Sequence, residues 1–261
     1  MAQQATSKDP LRILVVVAHA DDIEFGAAGS VARWVKEGAQ VTYCIVTDNG
    51  AGSNEPGVQR GELVKQREAE QLAAAALVGV ADVRFLGYPD GELQPTLELR
   101  RDLTRLIRQV RPQRVVCQDP TAILIGSWYI NHPDHRAAGE ATLYAVFPSA
   151  GTRLIFADLL DEGFEPHDVE ELYLMLTAQP DTYIDISDFI DLKIEALLCH
   201  KSQVGQEVEQ MVREWDAESG RKAGCAYAEE FRAMRFEKPG QSVQGSEQPQ
   251  HIEQAYPSPG P

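Results

Sequence analysis

The sequence has no basic surplus. Its 24 Lys and Arg stand against 40 Asp and Glu, for a net charge of −16. A nucleic-acid groove needs a basic stripe to displace counterions from phosphate, so nucleic acid is not an expected partner. Neutral or cationic substrates suit such a surface better than polyanions. Long apolar runs are missing too. The run from Ile13 to Ala18 is far too short for a bilayer, and no membrane span is expected. The opening residues lack the basic, apolar and small-residue order of a signal peptide, which makes the cytoplasm the expected location. The four cysteines, Cys44, Cys117, Cys199 and Cys225, form no C-x-x-C pair. They read as reduced thiols, two of them in buried strands, and not as disulfides or a sulfur metal site. A G-x-G-x-x-G after the first strand is also missing, so a dinucleotide site has no support.

What is present is ordinary core-forming material: 261 residues, 43% hydrophobic and 25% charged. The length suits one α/β domain, or a domain with a small appendage. Strand-like runs alternate with helical patterns. Arg12 to Ala18, Gln40 to Thr47, Asp82 to Leu86 and Arg114 to Gln118 read as strands. Gly26 to Glu37, Arg60 to Val78, Thr96 to Val110 and Pro133 to Phe147 read as helices. Repeated β-α units with short loops imply an α/β, Rossmann-like, doubly wound and mainly parallel sheet with helices on both faces. Further on, Glu171 to Thr177 and Thr182 to Ile186 read as strands. Ser187 to Lys201 reads as a helix capped by Ser187, and Gln206 to Phe236 as broken helix. Residues 1–237 are expected to form a single domain. Residues 238–261, rich in Pro, Gly, Gln and Ser, are expected to be a mobile tail, because they bury too little apolar surface to offset their ordering entropy.

In open parallel sheets ligands bind beyond the carboxyl ends of the strands, and reactive side chains crowd those ends here. His19-Ala20-Asp21-Asp22 follows the first strand, Asp48-Asn49-Gly50 the second and Tyr88-Pro89-Asp90-Gly91 the third. Past the fourth come Asp119 and then His132-Pro133-Asp134-His135. A catalytic zinc takes three N/O ligands and keeps one position open. His19 and Asp22, three apart in a loop entering a helix, can turn toward one point, and His135 can supply a third ligand. Zinc lowers the pKa of a water it holds and polarises a carbonyl. Asp21 is then placed as a general base. His132, oriented by a carboxylate such as Asp134, can protonate a leaving amine or stabilise an oxyanion. Taken alone, either motif is also an ordinary capped helix start; their joint occurrence at neighbouring strand ends is what points to a site. Glu24 suits either a first-turn acid or a residue that orients ligands. Trp128 and Tyr129 suit stacking on a sugar as well as packing, and Asp48 is a candidate for substrate contact from the second strand end.

These segments, AHADDIEFGAAG and NHPDHRAAG, resemble the PIG-L/LmbE family of zinc-dependent N-acetylglucosaminyl deacetylases, with its A-H-P-D-D-x-E and H-P-D-H motifs. The resemblance implies one Zn2+ held by His19, Asp22 and His135, Asp21 as general base, and His132 with Asp134 as the acid or stabilising pair. QREAEQLAAAALVG is similar to the family's R-x-x-E helix, which implies that Arg67 faces the substrate. LGYPDGEL and HKSQ extend the similarity over residues from about Arg12 to Gln203. The sequence departs from the family at Ala20, where proline is usual, and at Ile130, where some members carry tyrosine; Tyr129 stands next to it. The implied substrate is a small amide, an N-acetylglucosamine conjugate, and a homo-oligomer is left open. Two other functions remain open from the residues alone. One is a metal-dependent phosphoesterase, which would want a second metal and more cationic groups; the other is a non-catalytic zinc or small-molecule binder.

Overall fold

The computed structural model describes residues 9–127 and 129–236; the expected tail, 238–261, and Trp128 lie outside them. In chain order the elements are β1 (Arg12–Val17), α1 (Asp22–Gly26), α2 (Ala28–Lys36), β2 (Gln40–Thr47), α3 (Arg60–Leu77), β3 (Asp82–Tyr88), α4 (Leu97–Val110) and β4 (Arg114–Gln118). They continue with β5 (Leu124–Ile125), β6 (Tyr129–Ile130), α5 (Pro133–Tyr144), α6 (Asp158–Asp161), β7 (Glu171–Met175), β8 (Thr182–Asp185), α7 (Ile190–Leu197), α8 (Val208–Ala223) and β9 (Ala228–Arg235).

The main sheet has the order β3-β2-β1-β4-β7-β9-β8. Its first five strands are parallel, while β9 runs antiparallel to both β7 and β8. Alternation along β1 divides the core. Ile13, Val15 and Val17 pack with Val31 and Trp34 of α2 and Ala74 and Ala75 of α3. Leu14, Val16 and Ala18 pack with Leu99, Leu103 and Ile107 of α4 and Ala138 and Ala141 of α5. A β-branched run buried on both faces is what a central parallel strand requires, and all of these β1 side chains are fully buried.

The chain winds outward from β1 to β3 and then returns to place β4 on the other side of β1. That reversal opens a crevice at the carboxyl ends of β1 and β4. Two contacts hold the crevice in register. The Gln118 side chain accepts from the Ala18 backbone N–H at 3.0 Å, tying the strand ends together. Gly139 lets α5 lie against β4: a Cβ there would come within 2.2 Å of the Gln118 carbonyl oxygen. His135 sits one turn earlier on the same helix and so has a fixed distance from β1.

Several expected elements differ. The helix read from Gly26 starts earlier and is broken in two at Ala27, which has φ −151. Ser187 does not cap α7, which begins at Ile190; its hydroxyl instead donates to Asp185 in a turn. The segment from Gln206 to Phe236 is helical only to Ala223. Gly224, at φ 78, ends the helix in the left-handed conformation, and Ala228–Arg235 then forms a strand. Its Ala, Glu, Arg and Met content favours helix, but pairing on both sides with β7 and β8 overrides that preference. The hairpin β5–β6 was not expected from the sequence.

Far from the crevice, the buried Lys193 ammonium lies 2.8 Å from Asp216 and 2.9 Å from Glu229. The Glu229 carboxylate also accepts from the Gly29 and Ser30 amides, which joins β9 to the start of α2. One ammonium thus serves two carboxylates. Burial together with Glu229's charge pushes Asp216 up to about 6 against the pull of Lys193. An unfolded aspartate titrates near 3.8, so the folded chain holds an extra proton between these values and stability falls as pH rises through them. Asp216→Asn should therefore gain on the wild type between about pH 4 and about pH 7. Urea unfolding of both proteins across that range checks this, and a constant difference would contradict it.

Candidate active site

The loop after β1 is built from β2 and α3 as much as from its own residues. Thr47 donates its hydroxyl to the Ala18 carbonyl at 2.9 Å, and the Ala20 backbone N–H donates to the Asn49 side chain at 2.6 Å. A proline at position 20 would have no such donor. This chain therefore holds the loop with a hydrogen bond where the family pattern uses a ring. Asn49 is completely buried, so its oxygen has no solvent to turn to.

Asp22 is the centre of the site. It begins α1, and its carboxylate accepts from the His19 backbone N–H at 2.7 Å. One oxygen is 3.6 Å from His19 Nδ1 and the other 3.0 Å from His135 Nε2. His135 is oriented from behind. Asn131 donates its amide NH2 to the Ala122 carbonyl, which turns its oxygen toward His135 Nδ1 at 2.9 Å. Asn131 thus fixes the ring through Nδ1, and Nε2 is the nitrogen turned to the Asp22 oxygen. Imidazole, imidazole and carboxylate form an N/O donor set suited to a catalytic metal.

The other side of His19 faces two more carboxylates. Its Nε2 lies 3.0 Å from Asp90 and 3.4 Å from Asp134. Burial opposes a charge on His19, yet Asp134, Asp22 and Asp90 overcome it and push the imidazole up to about 12. Burial would raise Asp22 as well, but His135 and His19 outweigh it and hold the carboxyl well below the usual range. Asp90 is likewise held down to about 2, burial notwithstanding, by His19 and the Ala51 amide. Two groups of three donors lie close together among the described residues: His19, His132 and His135, and His19, Asp90 and Asp134.

Asp21 occupies the left-handed region at φ 88, which costs a non-glycine residue about 1–3 kcal/mol unless its surroundings impose it. They do so from α3, where Arg67, Glu70 and Gln71 share one face at helical spacing. Arg67 donates to the Ala20 carbonyl at 2.7 Å and to the Asp21 carboxylate at 3.2 Å. Burial and the charge of Asp22 push Asp21 up to about 7, with Arg67 opposing.

His132 stands at the mouth, its ring 4.8 Å from that of His19 and perpendicular to it. The expected pairing with the Asp134 carboxylate is an ion-pair contact and not a hydrogen bond. That carboxylate accepts from the Gly91 and Leu93 amides and faces His19, and its distance to His132 Nδ1 is 4.0 Å. The Asp134 backbone N–H donates to His132 Nδ1 at 3.1 Å instead, so the ring caps its own helix. Burial and the charge of His19 lower the His132 pKa.

The three residues expected to meet substrate are placed differently from one another. Arg67 is buried and paired with Asp21. Asp48 is clasped by Arg60 at 2.8 Å and accepts from the Gly50 and Asp90 amides. Tyr129 is half-buried on the β5–β6 hairpin. Burial and the charge of Asp22 raise its phenol, and the His132 backbone N–H opposes the rise. Ile130, where some family members carry tyrosine, is 75% exposed. Asn49, Gln71, Asp90 and Asn131 join the site without having been given a role from the sequence, although Asn49 and Asp90 lie in the strand-end loops noted there. Asp90 lies in a strand-end loop and Gln71 four residues beyond Arg67, which are the signals that could have found them. Asn49 and Asn131 act through contacts that no spacing announces.

A profile described as PIG-L, GlcNAc-PI de-N-acetylase, matches residues 14–146. A diacetylchitobiose deacetylase of Thermococcus kodakarensis is 31% identical over 86% of this chain and 83% of its own length. The chain belongs to the PIG-L family. A 1D-myo-inositol 2-acetamido-2-deoxy-alpha-D-glucopyranoside deacetylase of Actinosynnema mirum, 31% identical, covers 75% of this chain and 81% of its own. Among solved structures, the N,N'-diacetylchitobiose deacetylase of Pyrococcus horikoshii superposes with a TM-score of 0.80. It is 30% identical, over 90% of this chain and 88% of that one. This PIG-L member is thus an N-deacetylase-type enzyme by descent, with an α/β fold. No helix among its described residues is long and apolar enough to cross a membrane.

The hydrogen bond from Ala20 gives a direct check on how the site loop is held. Ala20→Pro should lower stability by about 1–3 kcal/mol, because it orphans the buried Asn49 oxygen. Chemical denaturation measures this, and a variant as stable as the wild type would show that the bond contributes nothing.

Proposed function

We propose that this chain is a zinc-dependent hydrolase that removes an N-acetyl group from an N-acetylglucosamine conjugate. The observation that carries the reading is the buried Asp22 carboxylate lying between His19 and His135, with Asp21 held beside it on strained backbone. His19, Asp22 and His135 would hold one Zn2+. Bound there, the metal supplies Lewis acidity toward water and the amide carbonyl.

The remaining chemistry belongs to the chain. Asp21, next to Asp22 and held by Arg67 at 3.2 Å, is the carboxylate placed to act as general base. It takes a proton from the attacking water while Arg67 keeps the carboxylate from turning away. Because His132 Nδ1 accepts from the Asp134 amide, the ring proton sits on Nε2, where it can be donated to the oxyanion that forms as water adds. The C–N bond then breaks, the proton held by Asp21 passes to the amine, and acetate and the free amino sugar leave. Asp134 acts on His19 and on the Gly91–Leu93 loop, and so shapes the pocket from its other side. Tyr129 offers an aromatic face and hydroxyl to a sugar, while the charges of Arg67 and Asp48 are taken up by Asp21 and Arg60. Relatives that act on diacetylchitobiose and on an inositol-linked acetamido sugar support an acetylated glucosamine as the common element. Four carboxylates, Asp21, Asp22, Asp90 and Asp134, disfavour a phosphate ester.

The test combines metal content with amine release from N-acetylglucosamine conjugates. Asp21→Asn should keep its metal and lose at least about 100-fold in kcat, the scale of general-base catalysis. Asp22→Ala should lose the metal as well. Undiminished turnover in Asp21→Asn, or phosphate release in place of amine release, would overturn the reading.

A further inference from the structure

Behind Asp21 runs a line of buried polar side chains that touch neither the proposed ligands' donor atoms nor the open pocket. The Asp21 backbone N–H donates to Gln71 Oε1 at 3.2 Å. Gln71 Nε2 donates to Glu24 Oε1 at 3.0 Å, and the other Glu24 oxygen lies 3.1 Å from His200 Nε2. Gln71, Glu24 and His200 have no exposed surface. The three come from α3, α1 and the turn after α7, so the line joins elements far apart in sequence.

The chemistry of these groups gives the line a direction. A carboxylate only accepts, so Glu24 forces both neighbours to present donors. That fixes the amide of Gln71: its NH2 must face Glu24, which leaves its carbonyl oxygen facing the Asp21 N–H. His200 satisfies the remaining Glu24 oxygen and holds the carboxylate in place. The turn that carries His200 is anchored to α3, because Ser202 donates both its N–H and its hydroxyl to Glu70, one residue before Gln71. Were Glu24 neutralised or moved, the Gln71 amide could turn over and set a donor against the donor of Asp21.

We propose that His200, Glu24 and Gln71 form a positioning relay that fixes the Gln71 amide and so holds Asp21 in the left-handed conformation from which it serves as base. The three are positioning residues, since none touches the reacting atoms. The role in catalysis rests on the assignment of Asp21 as base; the structural relay does not.

The test uses the full chain with its metal and reads two quantities: the hydrogen-exchange rate of the Asp21 amide by NMR, and kcat with KM for deacetylation. His200→Leu and Gln71→Met should each speed Asp21 amide exchange by at least about tenfold. They should lower kcat by about 10–100-fold, the usual effect of removing an orienting partner, with KM and metal content close to wild type. His200→Gln, which can place an amide N–H where Nε2 stands, should restore both readings. A packing role would favour leucine over glutamine, so the order of these two variants decides between the roles. Unchanged Asp21 exchange in Gln71→Met, or equal exchange in the two His200 variants, would overturn the relay. An inactive wild type whose exchange follows the predicted order would remove the deacetylase reading and leave the relay. An active wild type with unchanged exchange would do the reverse.

Discussion

A buried carboxylate facing two imidazoles sets the terms for the rest of this molecule. Asp22 cannot occupy its position without positive charge nearby, because an isolated ionised carboxylate in a protein interior is very costly. His19 and His135 meet it from two motifs more than a hundred residues apart, and each imidazole needs its own support. Asn131 fixes the ring of His135 through Nδ1, while Asp90 and Asp134 face the far nitrogen of His19. The fold can be described as what holds these two rings at a fixed spacing. β1 delivers His19, α5 delivers His135, and Gly139 allows α5 to approach β4 closely enough for the two to face one carboxylate.

The same constraint accounts for the amount of polar material buried at one end of the sheet. Asp21 follows His19 and Ala20 in a tight loop, and its left-handed backbone is imposed by neighbours on α3 and not by its own preference. Arg67 holds the carboxylate and Gln71 the amide, so a single helix face controls both ends of the residue. Strain of this kind persists where the surroundings over-determine it. Ala20 shows that the loop tolerates another solution. The Asn49 side chain supplies by hydrogen bonding the rigidity that a proline ring would supply covalently.

Much of this was legible in the sequence, and the reasons differ by element. The parallel strands were readable because a continuous apolar run set between two helical patterns suits a strand buried on both faces, and β2 and β4 fall on the residues expected of them. The convergence of His19, Asp22 and His135 was readable because two motifs stood at neighbouring strand ends. β9 was not, since its composition favours helix and only its pairing with β7 and β8 makes it a strand. The true partners of Asp134 were hidden for a related reason. Two residues from His132, it looks like that ring's partner, but a carboxylate at the start of a helix can turn to the loop opposite, here to Gly91 and Leu93. Residues such as Asn49, Asn131 and Gln71 are amides whose roles depend on which end faces which neighbour, and spacing along a chain carries no such information.

The central claim is that Asp22, between His19 and His135, is where a metal is held. Anomalous diffraction from crystals grown with zinc tests it most directly. The account predicts one strong peak bounded by His19, Asp22 and His135. A peak among His19, Asp90 and Asp134 with none beside Asp22 would contradict it.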